Sequence, residues 1–276
     1  MPAGLQVVTF FKQNLTGGAF EDLTPGTGDS DTFFNVPIDS APYLSEIWGV
    51  DDASVCELSF TASRFHDQTF GIRAQVARNL PDGTLAAASL VSPSGHDQRI
   101  FPSDVLTVRA NGTAADNVNA TFILYYPNIP GIDANLATYD QVKGMTKNLV
   151  GINVPLTAGA GDWGTSAALN SADNRLHANT WYALLGFTAD FPCAAIGLAG
   201  IDTGNLRVGG PVVGDPLHDA YLFSDLARSL NGKLIPVINS NNAGSTNLQA
   251  ADPTAPTINV DVMLAELDFP GNAPWQ

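Results

Sequence analysis

The sequence predicts an all-β chain built as two similar β-sandwiches in tandem, with a few short helices. Three observations carry that prediction. Short runs rich in β-branched and aromatic residues recur between turn residues. Helical periodicity is sparse, so the strand–helix alternation of a parallel α/β sheet is missing. A few residue combinations also return at a near-constant offset in the two halves of the 276 residues.

The strand-like runs are residues 7–11, 55–61, 71–77, 105–110, 120–126, 180–188, 194–199, 206–208, 234–239 and 258–264. Several alternate in polarity. Thr107, Arg109 and Asn111 interleave with Leu106, Val108 and Ala110; Asn259, Asp261 and Met263 interleave with Ile258, Val260, Val262 and Leu264. Alternation with period two puts one face in a core and the other in water. Asp82-Gly83, Asn111-Gly112 and Asn231-Gly232 are turn dipeptides of the kind that join strands. Three helices are expected. Residues 134–148 form one, interrupted by Gly144. Residues 219–229 form another, with Ala220, Leu222, Phe223, Leu226 and Leu230 near one face and Asn231-Gly232 as its stop. Residues 42–48 form a short third.

Phe60-Thr61-Ala62 recurs as Phe187-Thr188-Ala189, 127 positions later. Asn79-Leu80 recurs as Asn205-Leu206, 126 later, and Leu106, Ala110 and Asn111 as Leu234, Ile238 and Asn239, 128 later. A period this long is a domain duplication, not a solenoid. The expected domains are 1–130, carrying an N-terminal arm at Met1–Lys12, and 131–276, carrying the bridging helix. Pro127, Pro130 and Gly131 mark the break. About 130 residues and eight short strands per half fit a jelly roll, two four-stranded sheets packed face to face.

Composition narrows the function. The 27 acidic and 12 basic side chains give a charge of −15, which argues against nucleic acid as the main partner. With 45% apolar and 14% charged residues the chain is not disordered. No apolar run is long enough to span a membrane as a helix. Met1–Lys12 lacks the basic start, apolar core and cleavage site of a secretory signal, so none is expected. Lys is nevertheless scarce and the loops are rich in Gly, Asn and Ser, as on proteins that face the outside. The sequons at Asn14, Asn111 and Asn119 are expected to stay unmodified. Cys56 and Cys193 read as buried reduced thiols, with a bridge between them as the alternative.

Signals of catalysis are weak, and no catalytic, cofactor-binding or metal-binding residue is assigned. His66, His96, His177 and His218 are isolated, without the paired spacing of a zinc helix or of a cupin. Gly159-Ala160-Gly161-Asp162-Trp163-Gly164 has a dinucleotide-binding spacing, but Pro155 precedes it and no parallel βαβ unit surrounds it; it reads as a loop. Ser94-Gly95-His96 reads as a turn. Asp29, Asp31, Asp51 and Asp52 are calcium-type ligands without the twelve-residue spacing; they read as solvated loop carboxylates, with a calcium between subunits as the alternative. In Phe33-Phe34 and Tyr125-Tyr126, one ring of each pair faces the core and its neighbour points away, toward a domain or subunit contact. Trp275 is expected to pack against a neighbour.

On its size, the paired Phe-Thr-Ala and Asn-Leu positions and the Asn-rich loops that lead into apolar strands at 121–126 and 258–264, the chain resembles the double jelly-roll major capsid proteins of tailless icosahedral viruses. The resemblance spans nearly the whole chain at the level of architecture. It implies a non-enzymatic, self-assembling subunit in homotrimers with a pseudo-hexameric footprint, residing in the virion after synthesis in the host cytoplasm. The implied partners are itself, other virion proteins and, indirectly, an internal membrane. The alternative is a carbohydrate-binding or receptor-binding β-sandwich, such as a spike or adhesin, in which Trp48, Trp163 and Trp181 stack on sugar rings.

Overall fold

The computed structural model describes residues 3–26, 34–35, 43–51, 56–69, 71–76, 89–91, 98–126, 134–172, 175–212, 214 and 216–268. Nearly all regular structure is strand. Up to residue 126 these are β1 (Gly4–Lys12), β2 (Glu21–Asp22), β3 (Thr24–Pro25), β4 (Phe34–Asn35), β5 (Tyr43–Asp51), β6 (Cys56–Thr61), β7 (Ile72–Val76), β8 (Ser89–Val91), β9 (Gln98–Arg99), β10 (Val105–Asn111) and β11 (Val118–Tyr126). From residue 136 follow β12 (Leu136–Thr138), helix α1 (Tyr139–Met145), β13 (Thr146–Thr157), β14 (Gly159–Ala160), β15 (Asp162–Trp163), β16 (Ala167–Ala168), β17 (Trp181–Ala189), β18 (Cys193–Ala199), β19 (Val208–Val212), helix α2 (Pro216–Leu230), β20 (Lys233–Asn239), β21 (Asn247–Asp252) and β22 (Thr257–Leu267). No helix among the described residues is long and apolar enough to cross a membrane.

The strands form four sheets. Sheet 1 has the order β3-β1-β11-β5-β8, with β9 also on β5; sheet 2 has β2-β10-β6-β7, with β4 also on β10. Sheet 3 has β13-β22-β17-β20-β12, and sheet 4 has β19-β18-β21-β15-β14, with β16 also on β21. Neighbouring long strands are antiparallel. Sheets 1 and 2 draw only on residues up to 126, and sheets 3 and 4 only on residues from 136. Each half uses its strands in one order. The first long strand of the half lies beside its last, and the last beside a middle strand, in sheets 1 and 3 alike.

Each pair of sheets closes on its own core because the strands alternate. Val8, Phe10, Phe122 and Leu124 of sheet 1 meet Leu58, Phe60, Leu106 and Val108 of sheet 2. Phe122 stands edge-on to Phe10 at 5.6 Å and to Phe60 at 5.7 Å between centroids, so one ring ties both sheets. In the second half Ile152, Val154, Val260 and Val262 meet Ile196, Leu198, Leu248 and Ala250.

Helix α2 fills a gap that the strands leave. β20 pairs with β17 only at Trp181–Ala183, so the rest of that edge is open. Phe223 of α2 packs edge-on to Phe187 of β17 at 6.2 Å. Gly186 allows this approach: a Cβ there would lie 2.1 Å from the Asp219 carbonyl oxygen. Helix α1 is short and capped on both sides. Thr138 accepts from the Gln141 N–H while the Gln141 side chain accepts from the Thr138 N–H, and the Thr146 hydroxyl donates to the Val142 carbonyl.

Four local expectations are corrected. The N-terminal arm expected at Met1–Lys12 is, over Gly4–Lys12, strand β1 of the chain's own sheet 1, paired along its whole length with β11 and largely buried. Of the helix expected at 42–48, residues 43–48 belong to strand β5, held between β11 and β8. The helix expected over 134–148 is confined to Tyr139–Met145, flanked directly by β12 and β13. The residue repeat does not join equivalent strands. Phe60 lies on β6 in sheet 2 but Phe187 on β17 in sheet 3; Leu106 lies on β10 in sheet 2 but Leu234 on β20 in sheet 3. By position in the sheets, β5 answers to β17 and β6 to β18, strands that open at Tyr43 and Trp181 and at Cys56 and Cys193. Asn79 and Leu80, and the break at 127–131, lie outside the described residues.

Candidate functional site

Among the described residues the most elaborate site is the joint between the two halves. The side chains of β1 and β11 that face away from the first core include Leu5, Val7, Thr9, Phe11, Asn119, Thr121 and Ile123, all buried, and Tyr125, which is half-buried. Sheet 4 covers them. Val7 and Phe11 pack with Trp163, Ala194, Ala195 and Ala251, while Leu5 and Ile123 join the core of the second half. Small residues on β18 and β21 let the two sheets approach closely.

Polar groups in this joint are matched. The Thr121 hydroxyl donates to the Ala194 carbonyl at 2.7 Å. Its single proton is thus used, so the Thr9 hydroxyl donates to Thr121 Oγ1 at 2.9 Å. The Val7 N–H donates to the Arg207 carbonyl at 2.8 Å, and the Gln13 amide donates to the Pro253 carbonyl. Arg207 lays its guanidinium over Trp163, 4.1 Å from the ring centroid, and donates to Gln249 Oε1 at 3.2 Å. Gln249 in turn donates to the Gly164 carbonyl at 2.9 Å. Gly197 makes room for the Arg207 stem, since a Cβ there would lie 2.4 Å from Arg207 Cγ.

The strands that correspond to β1 and β11 in the second half are uncovered on the same side over residues 149–157 and 257–261, while Ala265 farther along β22 is buried. On β13, Leu149, Gly151, Asn153, Pro155 and Thr157 are exposed; on β22, Thr257, Asn259 and Asp261 are exposed and Met263 half-buried. One end of this face is polar. Asn153 donates to Asp261 at 2.9 Å, and Asn259 donates to Asp190 through both its backbone and its amide at 2.8 and 2.7 Å. The backbone N–H and then the side-chain amide of Asn259 hold the Asp190 carboxyl below its ordinary value. The other end is an apolar groove of about 350 Å3, lined among others by Tyr139, Val142, Leu149, Leu185, Tyr221 and Ala265. Leu149 on its rim is 58% exposed.

The outer face of sheet 2 carries a row of paired positions across four strands: Asp22, Arg109, Ser59 and Arg73. Arg109 Nε lies 3.1 Å from Asp22 and Arg73 lies 3.4 Å from Glu57. The Phe20 ring faces both guanidiniums, at 5.8 and 5.4 Å.

Glu266 is a buried carboxylate at the end of β22. Asn148 donates to it at 2.9 Å, His177 Nδ1 lies at 3.3 Å and Lys147 at 3.6 Å. The Asn148 amide, followed by His177 and Lys147, holds its carboxyl below the ordinary value, against the upward push of burial. Tyr182 beneath accepts from the His177 N–H at 2.8 Å, and burial pushes its phenol up. A polar cleft of about 390 Å3 beside Glu266 is lined also by Lys147, Asn179, Thr180, Trp181 and Asp268.

The residues singled out from sequence scatter. Tyr126 fills the first core and Tyr125 packs against the second, as the expected split of that pair requires. Trp163 is buried in the joint, which removes it as a sugar platform; Trp181 is half-buried at the Glu266 cleft. Gly159–Gly164 forms a tight β14–β15 hairpin with Gly161 at φ +66°, packed on β21, and has no helix after it to meet a phosphate. Asn119 is buried and cannot carry a glycan. His66 is exposed, and His177 contacts Glu266. Cys193 is buried, and desolvation pushes its thiol well up. Among the described residues no group of three His, Cys, Asp or Glu could hold a metal. Asp29, Asp31, Asp52, Phe33, Ser94, His96 and Trp275 lie outside the described residues, as do the side chains of Phe34, Trp48, Asp51, Cys56 and His218. The joint itself escaped sequence reading; its available signal was the small-residue pair Ala194-Ala195 opposite a strand apolar on both faces, β1.

The chain matches no protein-family model and no curated protein. Among solved structures it aligns with the Eiger TNF of S. frugiperda at 12% identity and a TM-score of 0.28, over 48% of this chain and 95% of that one. A likeness of that degree carries no argument about function.

Proposed function

We propose that the chain is a major capsid protein of a tailless icosahedral virus, built as a double jelly roll. Its two jelly rolls are residues 1–130 and 131–276. It acts without catalysis, as a block that self-associates into pseudo-hexameric homotrimers and then a shell. One observation carries the reading: both halves use the same strand order, β1-β11-β5-β8 over β2-β10-β6-β7 and β13-β22-β17-β20 over β21-β18-β19. A repeated order of this kind is what two jelly rolls in tandem would use, and it supports the reading. The sealed joint supports it, because two sandwiches fused by a buried face behave as one rigid unit. The acidic surface fits subunits that meet solvent and cations, with genome contact left to another protein or a membrane.

The test is the mass of the purified chain by size exclusion with light scattering, at several salt and calcium levels, with particles sought by electron microscopy. A stable trimer that assembles further is expected. A strict monomer under all conditions overturns the reading.

A further inference from the structure

We propose that the cleft beside Glu266 is a binding site for a neutral sugar, a pyranose ring stacked on Trp181. The inference is independent of the capsid reading and adds a ligand to it. Three neighbouring strands of sheet 3 build the cleft at one end of that sheet: β13 begins there, β22 ends there and β17 begins there. They place Lys147, Glu266, Leu267 and the half-buried Trp181 around one opening of about 390 Å3, and the turn before β17 adds Asn179 and Thr180. Trp181 lies opposite Leu267 in the strand register, and Asp268 follows directly. The volume falls within the roughly 300–1,000 Å3 range of small-molecule sites.

The side chains of the cleft are held in place, yet keep hydrogen-bonding capacity for a ligand. Glu266 is buried, and its carboxylate meets Asn148, His177 and Lys147, which uses three of its about four acceptor positions. Asn241 fixes Asn179 from two sides. The Asn179 N–H donates to Asn241 Oδ1 at 3.3 Å, and the Asn241 amide donates to Asn179 Oδ1 at 2.8 Å. The amide N–H groups of the Asn179 side chain and the carboxylate of Asp268 have no partner among the described residues. The Thr180 hydroxyl donates to the Ala178 carbonyl at 3.1 Å and can still accept. Donors and acceptors thus stand together beside one indole. A pyranose matches this set, because it has an apolar C–H face and a rim of hydroxyls that each donate and accept. Side chains already fixed lower the ordering cost of binding. Other ligand classes fit less well. One ammonium faces two carboxylates in a chain of charge −15, which repels a phosphate or a nucleotide. Among the described residues no group of three His, Cys, Asp or Glu could hold a metal. Trp181 and Leu267 are the large apolar side chains of the lining, too few to bury a lipid chain.

The test is saturation-transfer NMR, with titration, of the full chain against the methyl pyranosides of glucose, galactose, mannose and fucose and against N-acetylglucosamine. A single small ring in an open cleft is expected to bind in the millimolar range. At least one probe is expected to respond, with transfer strongest at the C–H protons of one ring face. Trp181→Ala is expected to weaken that binding about ten-fold or more, and Asp268→Ala about three-fold or more. Circular dichroism checks that each variant folds. Trp181→Leu, which keeps apolar bulk without an aromatic face, replaces a Trp181→Ala that does not. No response to any probe, or binding that survives both changes in folded protein, overturns the assignment. Light scattering on the same samples keeps the two readings apart. A trimer that binds no probe overturns the sugar site alone, and a monomer that binds through Trp181 overturns the capsid reading alone.

Discussion

Thr9 and Thr121 share a hydroxyl–hydroxyl hydrogen bond of 2.9 Å, and Thr121 passes its own proton to the Ala194 carbonyl at 2.7 Å. The pair therefore links two strands of sheet 1 to β18 of the other half through one buried oxygen. A two-sheet contact of this kind sets the halves in register, because hydroxyl geometry is more directional than the surrounding apolar packing of Val7, Phe11 and Ala195.

Replacing Thr121 by Val keeps the shape and removes that oxygen. The Ala194 carbonyl and the Thr9 hydroxyl then lose this partner inside a buried joint. Stability is expected to fall by about 1–3 kcal/mol. Urea unfolding checks it. Adding Thr9→Val should cost less than Thr9→Val alone, since its partner is already gone.

Glu266 gives a pH dependence of known sign. Its carboxyl titrates below the ordinary 4.5 in the folded chain, Asn148 being the largest cause. A depressed pKa contributes stability that is present above the unfolded value and is lost as pH falls through the folded one. Melting temperature should therefore drop on acidification below about pH 4.5, and Glu266→Gln should flatten that part of the profile while costing about 1–3 kcal/mol at neutral pH. An unchanged acid limb in Glu266→Gln would show that other carboxylates carry it.

The sandwiches were legible in sequence where strands alternate. Residues 105–110 and 258–264 read correctly because one face of each meets water. β13 was missed, although Ile152, Val154 and Leu156 point inward at period two, because Gly151 and Pro155 break its strand character. Pro155 is tolerated because β13 is an edge strand whose outer N–H groups need no partner in the sheet. The short apolar run at 42–48 fits a helical turn as well as a strand, and only its neighbours β11 and β8 decide. The duplication was read at offsets of 126 to 128, yet corresponding strands open at Tyr43 and Trp181, 138 apart, and at Cys56 and Cys193, 137 apart. What recurs is the order of strands, and order leaves little trace in identities. The joint was illegible for a related reason. Val7, Thr9 and Phe11 look like any strand residues until sheet 4 lies on them.

Cys193 should be chemically silent in the folded chain. It is buried, and desolvation, followed by the charges of Asp252 and Asp219, pushes its thiol well up, so little nucleophilic thiolate exists. In a Cys56→Ala background, reaction with a disulfide reagent is expected to be about a hundred-fold or more slower than in denaturant. Fast labelling under native conditions would place Cys193 in a segment that opens locally.

Gly197 tests how closely the joint is packed. It lies on β18 opposite Gln249, and a Cβ added there would meet Arg207 Cγ at 2.4 Å and Trp163 at 3.2 Å. Arg207 cannot retreat freely, because its guanidinium is stacked over Trp163 and bonded to Gln249. Gly197→Ala is therefore expected to cost about 1–3 kcal/mol by overpacking. The cause is separable by a double-mutant cycle. Arg207→Ala forfeits the stacking, worth about 0.5–2 kcal/mol, but also removes the two Arg207 carbons that are the new methyl's nearest contacts. In that background Gly197→Ala should cost less than about 1 kcal/mol, a coupling of the size found between residues in direct contact. Additive costs would mean that the glycine is needed for the β18 backbone itself and not for the passage of Arg207.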